Sequence, residues 1–332
     1  MQTVMRAAAA ELVVALTLIL FAAPLVAEAQ PAGKVPRVGI LSTPPLSSMM
    51  FLQQCPAALR DLGYVERQSI ILEWRSADGR PDRVANLAAE LVRLKVDVIV
   101  AITNVDIVAA KRATTTIPIV MGASLDPVGV GIVDSLARPG GNVTGRIFNS
   151  PEIVGKSLQV LKETVPGIQR VMHLGSAGIP ELAANLKSAE AGAGALGLTL
   201  QAVELRRTGD VAHVLGEIRR WQPDALYVAP LGIPAGHRDA ILKFAMEHRL
   251  PATYGTRGMV ELGGLMAYLP SALESARRIA WYVDRILKGA RPADLPVEQP
   301  QKYDLSINLK TARSLGLTIP QSILLQADEL IE

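Results

Sequence analysis

The residues able to do covalent or metal chemistry are few and scattered. Cys55 is the only cysteine in 332 residues, and the four histidines are His173, His213, His237 and His248. An intramolecular disulfide and any multi-cysteine metal or iron–sulfur site are thereby excluded. No HExxH, HxH or Cys/His cluster occurs. Cys55 falls inside an expected helix, where a small buried hydrophobe is the plainer role than a nucleophile. Neither a GxSxG elbow nor a GxxxxGKS/T loop is present. Nucleophile-elbow and P-loop chemistries therefore have no support, and no metal, dinucleotide or other cofactor is expected.

What remains is noncovalent recognition, and its residues take meaning from where strands end. After Pro36 the chain alternates short apolar strands with amphipathic helices. Strands are expected at 37–42, 69–75, 96–102 and 117–121, with helices over 50–62, 83–94 and 105–114. Pro56 predicts a kink or a late start in the first helix. A second block repeats the rhythm: strands at 170–174, 199–205, 225–229, 252–254 and 264–268, and helices over 151–165, 181–196, 211–221, 238–248 and 271–288. Near-continuous apolar strands separated by helices indicate parallel sheets covered on both faces. The Gly/Pro-rich stretch 138–145 reads as a hinge or turn between two α/β domains. A single (β/α)₈ barrel is the alternative.

In open α/β sheets ligands bind beyond the carboxyl ends of the strands. That rule selects Ser42 and Thr43, Thr103 and Asn104, and Ser124 and Asp126 in the first block. In the second it selects Gly175 and Ser176, Pro230 and Leu231, Tyr254 and Tyr268. Together they suit a small molecule with a polar head and an apolar body. Each also has a structural reading: Ser and Thr as helix N-caps, Asp126 as a turn former before Pro127, and the tyrosines as packing residues.

Composition limits the partners. Apolar residues are 49%, charged residues 20% and aromatics 4%, so the cores rest on Ala, Val, Leu and Ile. The 34 basic and 31 acidic residues give a net charge of +3 without a Lys/Arg run, and no nucleic-acid partner is expected. Residues 12–27 form the only long apolar run, broken by Pro24 and followed by Ala27-Glu28-Ala29. Its length falls short of the ~20 residues of a membrane span and fits a secretory signal over 1–29. A retained anchor is the alternative. Cleavage leaves a chain without stable membrane insertion, in a periplasmic location. Asn142-Val143-Thr144 matches a glycosylation acceptor, but nothing points to a eukaryotic secretory path.

Several longer segments carry a resemblance. They include RVGIL (37–41), LGYVE (62–66), VDVIVA (96–101), ATTTIPIV (113–120), GGLMAYLPS (263–271) and RILKGARPADLPVEQP (285–300). The specific ones are DPVGVGIVDSLARPGGNVTG (126–145) and NLKTARSLGLTIP (308–320). From Val35 to Glu332 the chain resembles bacterial ABC transporter substrate-binding proteins, a family that includes tryptophan/tyrosine-type binding proteins. The resemblance implies a type I periplasmic binding-protein fold, with two Rossmann-like, doubly wound lobes joined by hinge crossovers. It places lobe one at 35–146 plus 263–290 and lobe two at 147–262 plus 291–332. It also implies a non-catalytic receptor that closes on a small molecule, an amino acid or aromatic compound, and docks on an inner-membrane ABC permease. Asp126 then either pairs with a ligand ammonium or holds its loop.

This chain departs from relatives at Gly175-Ser176, where many carry Asn-Pro, at Arg257-Gly258-Met259, where Arg-Glu-Phe is common, and at Pro56. Two other readings use the same scaffold. One is a ligand-sensing ectodomain serving a membrane receptor. The other is a hydrolase or isomerase using Asp126 or Glu261 with a histidine.

Overall fold

Alternation of buried strands and one-faced helices produces two separate open sheets in the structure, a computed structural model that describes residues 34–148, 151–177, 180–205, 211–230, 233 and 235–332. The expected signal segment 1–29 and Leu231 lie outside the described residues. Residues Pro36–Glu332 form one unit. Among the described residues no helix is long and apolar enough to cross a membrane.

The first sheet contains β1 (Arg37–Ser42), β2 (Ile71–Ser76), β3 (Val98–Ala101), β4 (Ile119–Ser124) and β5 (Val143–Ile147), in the order β2-β1-β3-β4-β5. All its pairings are parallel. Strands β3 and β4 are buried at every residue because helices cover both faces. Helix Val84–Arg93 shows why: Val84, Leu87, Ala88 and Leu91 fall at i, i+3, i+4 and i+7 and are all buried.

The expected turn at 138–145 is shorter than the sequence suggests. Gly140 and Gly141 adopt φ values of 69° and 59°, and the chain then enters β5. At Gly145 a Cβ would stand 2.5 Å from the Met121 nitrogen. Only glycine lets β5 lie this close to β4.

The second sheet has the order β12-β11-β10-β9-β8-β6-β7. Its strands are β6 (Arg170–Ser176), β7 (Thr199–Leu205), β8 (Ala225–Val228), β9 (Ala252–Tyr254), β10 (Met266–Pro270), β11 (Tyr303–Asn308) and β12 (Glu329–Ile331). The only antiparallel pair is β10 with β11.

Among the described residues the chain passes between sheets three times, and the strand pairings differ from two of the expected lobe boundaries. The expected return to lobe one at 263 comes later. β10 pairs with β9 and β11 in the second sheet, and it is helix Ala272–Leu287 that packs on the first-lobe core. The expected departure at 291 also comes later, since Leu295 and Val297 still belong to first-lobe cores. Glu298 continues that sheet beside Arg146. The chain then re-enters lobe two at the edge where β10 left it, so β11 must run antiparallel to β10. Pro56 delays nothing: helix Met50–Asp61 runs through it from Met50.

Candidate functional site

The carboxyl edge of the first sheet spends its polar side chains on itself. The Ser42 hydroxyl donates to the Pro44 carbonyl at 2.8 Å. The Thr43 hydroxyl donates to Asp106 Oδ1 at 2.5 Å. Both the amide and the hydroxyl of Thr103 donate to Asp106 Oδ2 at 2.8 Å. Asp106 is the third residue of helix Asn104–Ala113 and reaches back over its start. Burial pushes its carboxyl pKa up, against these hydrogen bonds, which pull it down. Asn104 bridges to the next loop. Its Oδ1 accepts from the Ser124 hydroxyl at 2.6 Å and the Leu125 amide at 3.2 Å, while its Nδ2 donates to the Leu125 carbonyl at 2.7 Å. Asp126 is exposed, has φ 43° and accepts from the Gly129 amide at 3.0 Å. Thr103 and Asn104 therefore occupy the structural roles open to them, while Asp126 gives its loop only one carboxylate oxygen.

The corresponding edge of the second sheet is different. A hollow opens there, lined by Pro230, Tyr254 and Tyr268 among the expected residues. It is completed by Phe148 from the first crossover, Ser157 from helix Pro151–Thr164, and Tyr227, Thr253 and Gly255. Gly255 is required by close approach, because a Cβ would lie 2.2 Å from the Pro230 nitrogen. The Ser157 hydroxyl donates to the Tyr268 carbonyl at 3.4 Å. The rings of Tyr268 and Tyr303 stack with centroids 5.6 Å apart.

Behind the hollow lies a buried polar chain. Asn185 Nδ2 donates to the Tyr227 hydroxyl at 3.4 Å, and its Oδ1 lies 3.0 Å from His173 Nε2. His173 stacks on Tyr227 at 5.4 Å. Burial pushes the Tyr227 hydroxyl up to about 12 and lowers the His173 pKa. Gly175 lies against this chain, a Cβ there being 3.3 Å from His173 Cε1. Gly175 and Ser176 end β6 away from the hollow's lining. The lining residues outside the expected set have a simple origin. Tyr227 and Thr253 lie within strands, and Ser157 lies in a helix, so a search confined to residues after strands passes over them.

Arg257, which opens the short helix after β9, touches the Met50 sulfur of the first lobe. It also holds Glu329 through two nitrogens and lies 3.2 Å from Glu261. Glu261 is thus in an ion pair rather than beside a histidine. Cys55 is buried and its thiol is pushed up to about 12, a poor nucleophile. Among the described residues no three His, Cys, Asp or Glu gather as metal ligands. Gly192, Gly194 and Gly197 do satisfy GxGxxG, which corrects the expectation that no dinucleotide fingerprint occurs in the sequence. They leave helix Pro180–Ala195 toward β7, the reverse of the strand-to-helix order that holds a pyrophosphate. Gly192 instead lets this helix close on its neighbour, a Cβ there lying 2.8 Å from Gly155 Cα.

The chain's relatives share this architecture. A crystal structure of a conserved domain protein from Vibrio cholerae is 27% identical and superposes with a TM-score of 0.81 over 90% of this chain and 100% of that one. The ABC domain from Streptococcus pneumonia in complex with L-Trp is 26% identical, also with a TM-score of 0.81 over 90% and 100%. A curated tyrosine-binding protein of Clostridioides difficile is 25% identical over 78% of this chain and 74% of its own. A leucine binding protein from Thermotoga maritima shares the type I fold, with a TM-score of 0.55 over 78% of each chain at 18% identity. The model of the ABC transporter substrate binding protein family matches residues 45–331, and this chain belongs to that family.

Proposed function

We propose that the protein is an extracytoplasmic receptor that binds an amino acid with an aromatic or large apolar side chain between its lobes and presents it to an ABC importer permease. The hollow at the second-sheet edge carries this reading. Aromatic rings and Pro230 offer a flat apolar surface, and Ser157 and Thr253 place hydroxyls beside it. The bound ligands named for two relatives, L-Trp and tyrosine, are of this chemical class. Three crossovers between the lobes make hinge closure the natural response, because a ligand that touches both edges stabilises the closed state. In this reading Asp126, exposed after β4, meets the ligand ammonium with the carboxylate oxygen that Gly129 leaves free. The first-edge hydroxyls set the shape of that wall.

The test is a melting screen of the protein against the natural amino acids, followed by calorimetry. A ligand at 100 times its dissociation constant stabilises the fold by about 2.7 kcal/mol, a shift of several degrees. Aromatic amino acids should give the largest shifts, be recovered unchanged, and reduce the radius of gyration in solution scattering. Chemical turnover, or stabilisation by sugars alone, would refute the reading.

A further inference from the structure

Arg146 is 3% exposed, and its Nη1 has no hydrogen-bond partner. It occupies β5 between Gly145, level with Met121, and Ile147, level with Ser124. The guanidinium therefore starts at the carboxyl edge of the first sheet. Phe148, two residues on and so on the same side of the strand line, lines the hollow. Tyr303, within electrostatic reach of Arg146, stacks on Tyr268, which also lines it. Glu274, in the first turn after the second crossover, and Glu298, at the third, are the acids facing Arg146. Parts of all three crossovers thus surround one buried cation.

Neither acid hydrogen-bonds that nitrogen. Both Glu298 oxygens accept from Arg278, whose Nε donates at 2.7 Å, and Arg278 also lies over the Trp281 ring. Glu274 acts on Arg146 only through space, with no hydrogen bond joining them. Buried donors left unpaired are costly, and most in native proteins have a partner. A guanidinium fork matches a carboxylate better than any other small-molecule group.

We infer that Arg146, which does not line the hollow in this structure, is the carboxylate receptor of the cleft once a ligand enters, its Nη1 donating to the acid group of the bound molecule. This rests on the amino-acid reading above and adds the group that selects for the acid. With Asp126 on the ammonium, the two charged ends of an amino acid meet opposite charges while its side chain lies on the rings.

The test is calorimetry of the protein with L-tryptophan and L-tyrosine, their amines tryptamine and tyramine, and indole-3-propionate, which keeps the carboxylate and lacks the ammonium. The wild-type protein should bind the acids and bind the amines roughly 100-fold more weakly. Arg146→Gln should lower acid affinity by about the same factor while changing amine affinity less than about threefold, and Arg146→Lys should recover part of the loss. Amines that bind the wild-type protein as tightly as the amino acids overturn the inference without any variant. So does a folded Arg146→Gln protein with an unchanged acid-to-amine ratio. If indole-3-propionate binds through Arg146 and no amino acid does, the receptor role stands and the amino-acid reading falls. If L-tryptophan binds undiminished in Arg146→Gln, the reverse holds. No binding by any of the acids sinks both.

Discussion

The two carboxyl edges that face the cleft are built from similar positions in similar sheets, yet they use them in opposite ways. On the first edge Ser42, Thr43, Thr103, Asn104, Ser124 and Asp106 bond to one another or to nearby carbonyls. On the second edge Tyr227, Thr253, Tyr254 and Tyr268 surround a hollow. The first edge is largely prepaired, and the second leaves a hollow between its rings. Small polar residues after strands are therefore weak indicators of a ligand, because the loops they begin need the same hydrogen bonds a ligand would. Rings beside a glycine that allows close backbone approach are stronger ones.

The sharpest way to break this contrast is at Gly255. A Cβ there would meet both the nitrogen and Cα of Pro230, at 2.2 and 2.3 Å. Gly255→Ala should cost about 3 kcal/mol in urea unfolding and abolish ligand-induced stabilisation. Full ligand response in that variant would move the site elsewhere.

Asp106→Ala should also cost about 3 kcal/mol, because it strands the buried donors of Thr43 and Thr103. Its ligand affinity should stay within about threefold, since Asp106 is engaged by Thr43 and Thr103 and does not line the hollow. A tenfold affinity loss at unchanged stability would instead put the ligand against Asp106 itself. Tyr268→Ala should weaken binding of an aromatic ligand roughly tenfold through lost ring contact, with Tyr268→Phe close to wild type by calorimetry. Ser42→Ala should change affinity by less than about threefold and stability by about 1 kcal/mol; a larger affinity effect would restore the hydroxyl to the ligand.

The smallest effect concerns acid. Arg257 holds Glu329 below the usual carboxylate range. A depressed folded-state value contributes stability above the unfolded pKa, and that contribution is lost as pH falls through the folded one. Glu329→Gln should therefore lose stability at neutral pH and show a shallower decline below about pH 4.3, read from melting temperatures across pH. An unchanged acid limb would mean that the pair contributes nothing.

The elements were largely legible because their signals are local. Helix Val84–Arg93 carries its buried stripe in a ten-residue window, and β3 and β4 are unbroken apolar runs. β5 was hidden because Val143–Ile147 includes Gly145 and Arg146, neither a strand signal, and is held by pairing with β4. β11 and β12 went unread for a similar reason: they complete a sheet whose other members lie far away in sequence. At the site, Pro230, Tyr254 and Tyr268 were reachable from strand ends. Tyr227, Ser157 and Phe148 were not, since each reaches the hollow from a different element.

By itself the sequence determined the absence of an intramolecular disulfide and of any multi-cysteine site, the alternating α/β order, the faces the helices bury and the family-specific segments at 126–145 and 308–320. These depend on residue identity and short-range periodicity. Only the tertiary structure decided where the chain crosses between lobes, which of two polar edges is already satisfied, and that Arg146 is buried with an unpartnered nitrogen. Each of these depends on hydrogen-bond partners far apart in the chain. Thr43 and Asp106 are 63 residues apart and Asn185 and Tyr227 are 42 apart, and only folding brings such groups within 3.5 Å.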